Sequence, residues 1–170
     1  MTTTSIAKLS RFHTAFLTFL ATSCLAAAPL AHAAEQDSVA VQLSARKVVM
    51  AEKKEALEPA EKARPNDTIQ YDAVYRNTTS GGIKNLAATV PVPAGLAFLA
   101  DSAKPAGALA SLDGKMFSAI PLMREIKRAD GTVEKQAVPF AEYRAVRWSI
   151  EQLDAGKSTT VSLRARVLAK

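Results

Sequence analysis

The side chains best suited to nucleophilic and proton-transfer chemistry are scarce in these 170 residues and crowd at one end. The two histidines, His13 and His32, and the one cysteine, Cys24, all fall within the first 33 residues. Without that stretch the chain has no imidazole and no thiol. A Ser-His-Asp or Cys-His nucleophile, a thiolate–imidazole zinc site and any disulfide are then excluded. Carboxylates, lysines and hydroxyls remain. Paired carboxylates can cleave glycosidic bonds, and Glu142 and Glu151 are candidates for such a pair, although no motif selects them. The loop aspartates Asp67, Asp101, Asp113 and Asp130 carry the oxygen ligands calcium takes in sets. No Asp-x-Asp-x-Asp run groups them, and an Asp before Gly is ordinarily a turn former. A Ser-Lys dyad lacks its Ser-x-x-Lys spacing. Arg147, Arg164 and Arg166, with Lys127-Arg128 and Lys135, form a basic set that could meet an acidic protein or an anionic polymer. Catalytic, cofactor-binding and metal-ligating residues are therefore all read as none.

The first 33 residues read as an export signal. Lys8 and Arg11 precede an apolar stretch from about Thr14 to Leu30, and Ala31-His32-Ala33 follows. A basic start, a short apolar segment and an Ala-x-Ala site predict cleavage between Ala33 and Ala34. The apolar stretch is broken by Thr, Ser and Pro29, whereas a membrane span wants about 20 predominantly apolar residues. Cys24 follows a small residue, as a lipidation site requires. Ala21, three places before it, is not the large aliphatic residue such a site prefers. Removing Lys8 and Arg11 from the 22 basic residues leaves 20 against 16 acidic ones. These charges are interspersed, which describes a solvated surface and not a nucleic-acid footprint. The expected mature chain, residues 34–170, carries no further membrane-length segment and is placed in the periplasm or outside the cell.

Alternation of period two dominates residues 34–170. Val39, Val41, Leu43 and Ala45 alternate with polar or small neighbours, as do Ile69, Tyr71, Ala73 and Tyr75. Val146, Trp148 and Ile150 form a third set, and Thr159, Val161, Leu163, Ala165 and Val167 a fourth. One apolar and one wet face per strand predicts antiparallel sheets packed around one core. Turn residues separate the runs: Asn77 to Gly82, Pro93-Ala94-Gly95, Asp113-Gly114, Asp130-Gly131 and Asp154 to Lys157. The two Asp-Gly pairs predict two-residue hairpin turns. Short strands joined in this way make an all-β sandwich. Residues 50–63 suit a helix by composition, but Pro59 equally allows an edge hairpin or loop. Residues 118–143, with Pro121 and Pro139, read as a protruding charged edge hairpin.

Three stretches resemble the bacterial repeat family called "domain of unknown function 11", an immunoglobulin-like surface module. They are Asp67 to Asn77 with Tyr71 at its centre, Asn85-Leu86 followed by Pro93-Ala94-Gly95-Leu96, and Trp148-Ser-Ile150 running through Leu153 and Gly156 to Leu163. Together they span about residues 64–168, in the family's order. Asn66 stands where the family usually has Gly, and Val90-Pro91 where it often has an Asp-containing segment. The resemblance implies an immunoglobulin-like antiparallel β-sandwich at the bacterial surface, and the family brings no established catalytic activity. The matched residues also have plain structural uses. Gly95 and Gly156 suit reversals that a Cβ would strain, Pro93 stops a strand, Trp148 fills the core, and Asp67 and Asn77 hydrogen-bond loop backbone.

The resulting expectation is a secreted or periplasmic, non-catalytic module with a structural role or one of binding an envelope or surface protein or polymer. The alternative is a small carboxylate-dependent hydrolase of envelope glycans. A third reading is assembly by strand addition at an open sheet edge.

Overall fold

A computed structural model describes residues 38–169. The expected export signal, the Ala33–Ala34 junction and Cys24 lie outside the described residues. The described residues form eleven strands: β1 Val39–Ala51, β2 Lys54–Pro59, β3 Thr68–Asn77, β4 Ile83–Pro91, β5 Leu96–Phe98, β6 Leu109–Ser111, β7 Ser118–Ala119, β8 Met123–Lys127, β9 Val133–Ala137, β10 Ala145–Leu153 and β11 Ser158–Val167. Two single 3-10 turns, Ala60–Lys62 and Phe140–Glu142, are the only helical elements among the described residues. No helix among them is long and apolar enough to cross a membrane.

The strands make a five-stranded sheet in the order β2-β1-β3-β11-β5 and a four-stranded sheet in the order β4-β10-β6-β7. A separate pair, β8-β9, belongs to neither. All strand pairings are antiparallel. Strand-to-strand hairpins cannot by themselves build both layers. The chain crosses between sheets from β3 to β4 and from β10 to β11, so that β3 pairs with β11 in one layer and β4 with β10 in the other.

Period-two alternation sends one side of each central strand into the core. Ala73 and Tyr75 of β3 and Val161, Leu163 and Ala165 of β11 meet Ala88 and Val90 of β4 and Val146 and Trp148 of β10. Trp148, 2% exposed, donates its indole N–H to the Pro105 carbonyl at 2.7 Å, so its polar atom costs nothing on burial. Phe98, Phe140 and Tyr143 form an aromatic cluster at one end of the core. Phe98 and Tyr143 stack with centroids 5.8 Å apart, and Phe140 meets each ring edge-on.

Two local expectations are corrected. The apolar side of β1 was expected in the core, but only Val39 packs there, while Val41 is 56% and Leu43 46% exposed. The reason is width: β4, at the edge of the narrower sheet, packs against β3, and β1 overhangs it. The Asp-Gly pairs do not make two-residue turns. Gly114 lies in the longer connection from Ser111 to Ser118, and Gly131 in a three-residue loop closed by the Arg128 N–H to Thr132 carbonyl bond. The two-residue hairpin occurs instead at Glu52-Lys53, both at positive φ, where Ala51 pairs with Lys54.

Candidate functional site

Two surfaces are built with more polar or exposed detail than packing requires. One is the β8-β9 hairpin, all ten of whose strand residues are exposed. A two-stranded hairpin is marginal alone in water, so its root must hold it. Leu122 and Val138 are buried on either side of the pair, and the Val138 N–H donates to the Leu122 carbonyl at 2.8 Å. The Leu122 N–H in turn donates to the hydroxyl of fully buried Tyr143 at 2.7 Å. Arg124 grips Glu142 through both guanidinium nitrogens, at 2.9 and 3.0 Å. Beyond this root the register sets Lys127 opposite Val133 and Lys135 opposite Glu125, and Arg128 pairs with Glu134.

The hairpin is therefore of mixed charge, with Arg124, Lys127, Arg128 and Lys135 against Glu125, Asp130 and Glu134, and not a basic prong. Met123, Ile126 and Val133 are its exposed apolar residues. Met123 also borders an open depression of about 270 Å³ with Leu112, Met116 and Leu122. Met116 is 80% exposed and Leu112 41%. The adjoining loop is rigid by its hydrogen bonds: one carboxylate oxygen of Asp113 accepts from the Lys115 and Met116 amides and the Ser111 hydroxyl. These bonds, the Lys115 amide first, hold the Asp113 carboxyl down at about 2.

The second surface is the outer face of the five-stranded sheet. Asp72 accepts from Arg46 at 2.7 Å and from Gln70 at 3.0 Å. Arg164 donates to the Gln70 side-chain Oε1 at 3.1 Å and to both Glu55 carboxylate oxygens, at 3.0 and 2.7 Å. Glu55 sits near the tip of the β1-β2 hairpin, and this bidentate pair ties that tip to β11. Beside it an open depression of about 530 Å³ is lined by Glu55, Gln70, Asp101, Ser102, Lys104 and Arg164. Arg164 lowers the pKa of Glu55, chiefly through its hydrogen bonds, and Glu55 raises that of Arg164.

The residues singled out from the sequence fall in separate places. Asp67 accepts the Arg64 amide at 2.8 Å and lies 3.9 Å from the Lys47 ammonium. Asn77, fully buried, donates to the Gly81 and Leu153 carbonyls and accepts from the Thr79 amide and hydroxyl. It thereby ties the β3-to-β4 crossing to the β10-to-β11 crossing. Pro93 and Gly95 shape the turn into β5, with the Leu96 amide bonded to the Pro93 carbonyl, and Gly95 and Gly156 sit at φ +87° and +69°. Tyr71 is half-buried, and burial raises the phenol pKa of both Tyr71 and Tyr75. The Tyr75 hydroxyl donates to the outward carbonyl of Thr89 on β4 at 2.7 Å.

The proposed groupings do not form. Arg147 lies on β10, donating to the Thr89 hydroxyl with its guanidinium 3.6 Å above the Phe117 ring. Arg164 and Arg166 lie on β11 in the other sheet, so the three arginines make no common row. Glu142 closes the 3-10 turn before β10 and Glu151 lies near the far end of that strand, where the six-residue rise from Ala145 to Glu151 alone is roughly 20 Å. Glycosidase carboxylates sit about 5–10 Å apart. Asp101, Asp113 and Asp130 occupy three different loops, and among the described residues no three metal-ligating side chains stand together. No motif in the sequence marks Glu55, Tyr143, Met116 or Met123. The Gln70, Asp72 and Arg164 alternation on strand outer faces was the legible trace of the polar chain. Compared with known proteins, the chain matches no family model, no curated protein and no solved structure.

Proposed function

We propose that the chain is an exported, non-catalytic, immunoglobulin-like β-sandwich module that binds a protein of the bacterial envelope through the β8-β9 hairpin and the adjoining Met116 depression. The observation that carries this reading is the contrast between the hairpin's fixed root and its wholly exposed strands. Hydrogen bonds, an ion pair and an aromatic cluster hold in place a surface that contributes no core. Exposed Met, Ile and Val among mixed charges suit a protein partner better than a polyanion, since binding surfaces gain from adaptable apolar contact.

Two further observations support it. The carboxylates whose pKa is displaced, Glu55, Asp113 and Asp130, are all displaced downward by hydrogen bonds, which keeps them ionised, whereas general acid–base work at neutral pH needs a value near the operating pH. The three stretches resembling the "domain of unknown function 11" family fall on β3, on β4 to β5 and on β10 to β11, strands that pair directly with one another as β3-β11-β5 in one sheet and β4-β10 in the other.

The test is photo-cross-linking from Met123 and Ile126 in the native envelope. The expected result is one common adduct at both positions and none from Arg76, which is exposed on the outer face of β3. Equal adduct yield from all three positions overturns the reading. So does glycan cleavage by the purified chain that is abolished by both Glu142→Gln and Glu151→Gln.

A further inference from the structure

We propose that the chain self-associates by antiparallel pairing of the β1 edge, Val39 to Ala45, with the same edge of a second copy. Strand β1 pairs along one side with β3 from Val39 to Val48, but along the other with β2 only from Arg46 to Ala51. Among the described residues, Val39 to Ala45 therefore has no partner on its far side. These seven residues contain no charge, no proline and no residue at positive φ.

Natural sheet edges are ordinarily protected by shortness, proline, bulges or charge, and the other edges here are. Strand β2 carries Lys54, Glu55, Glu58 and Pro59, β5 has three residues, and β7 has two. Strand β4 has Lys84, Asn85 at positive φ and Pro91, and its Thr89 carbonyl is already taken by Tyr75. The stretch of β10 past β6 carries Glu151. The stretch of β11 before its bridge to Lys104 is only four residues, Ser158 to Val161, so among the described edges the first half of β1 alone is long and unguarded, and it also exposes Val41 and Leu43 on the side where the opposing sheet stops short.

The sequence of that edge selects a second copy as the occupant. The Thr78 amide bonds to the Ser38 carbonyl, which places the even-numbered residues of β1 in hydrogen-bonded pairs with β3. The amides and carbonyls of Val39, Val41, Leu43 and Ala45 then point to the open side. A two-fold axis at Gln42 uses all seven residues and stops where β2 begins. It sets Val41 against Leu43 and Val39 against Ala45 on the apolar side, and Ala40 against Ser44 and Gln42 against Gln42 on the other. Every outward amide meets an outward carbonyl, apolar side chains meet apolar ones, and no charge is opposed. Such a self-complementary patch is what an isologous dimer requires.

Sedimentation of the full chain tests this. The expected result is a reversible, concentration-dependent doubling of mass. Leu43→Lys, at an already exposed position, should return the mass to that of a single chain with the circular dichroism spectrum unchanged. In a Cys24→Ser background, Gln42→Cys should cross-link to itself on mild oxidation, because residues on the axis form a non-hydrogen-bonded pair with Cα atoms about 4.5 Å apart, within disulfide reach. Arg76→Cys, one strand in from the edge, should not. A chain of single mass at every concentration overturns the proposal, as does cross-linking through Gln42→Cys no faster than through Arg76→Cys. A foreign peptide that co-purifies and is released by Leu43→Lys, in place of a second copy, overturns the assignment of the occupant.

Discussion

The two hairpins, β1-β2 and β8-β9, are built from similar material and treated in opposite ways. Each flanks a 3-10 turn that follows a proline, Pro59 or Pro139, and each carries arginine and glutamate in its strands or at its ends. The first is stitched into a sheet along β1, and its tip is brought back to the body where Glu55 grips Arg164. The second is held only at its root, where Tyr143 and Glu142 grip Leu122 and Arg124. Fixing the tip makes a hairpin part of the scaffold. Fixing only the root leaves it presented to solvent, which is the condition for a binding element on a rigid frame.

The comparison breaks most severely at Tyr143. Tyr143→Ala removes a fully buried ring stacked on Phe98 and should cost about 3–5 kcal/mol of unfolding free energy, as large aromatic truncations do; chemical denaturation measures it. Tyr143→Phe keeps the ring and leaves the buried Leu122 amide without an acceptor, at about 1–3 kcal/mol. Amide exchange should accelerate across β8 and β9 and stay unchanged in β2, and acceleration in both hairpins alike would show that the two are not independently anchored. Arg124→Ala cuts an exposed ion pair, worth up to about 1 kcal/mol, and should loosen only β8-β9. Glu55→Gln should do the converse, speeding exchange from Lys54 to Leu57 with little change in the melting temperature.

Acid should sharpen the same contrast. The folded pKa values of Asp113 and Glu55 lie below their ordinary values of 3.8 and 4.5. Such carboxylates contribute their stability in full above the ordinary value and lose it as pH falls toward the depressed one. For Asp113 that window runs from 3.8 down to about 2. Asp113→Asn should flatten the acid limb of a pH–stability curve in that range, and the Met116 loop should exchange faster at neutral pH. An unchanged acid limb would mean that the amide bonds to Asp113 do not set the loop.

Much of this was legible in the residues and some was not, for definite reasons. Alternation identified β1, β3, β10 and β11 because pleating forces successive side chains to opposite sides. It could not say that Val41 and Leu43 lie beyond the opposing layer, because coverage depends on how wide the other sheet is. Asp-Gly pairs marked loops but not their lengths, since register is set by the pairing of the flanking strands. Glu55 and Arg164 are 109 residues apart, and nothing local joins them.

By itself the sequence determined that the chain is β-rich, where its strands alternate, and that histidine and cysteine occur only at its start. Those properties follow from side-chain type and from the two-residue period of the strand, which act within a few residues. The tertiary structure alone decided which sheet each strand joins. That decision separated Arg147 from Arg164, set Glu142 in the turn before β10 and Glu151 near the far end of that strand, and, among the described residues, left the first half of the β1 edge without a partner. Such outcomes depend on how two layers of unequal width overlap, and that overlap is fixed only when distant segments pair.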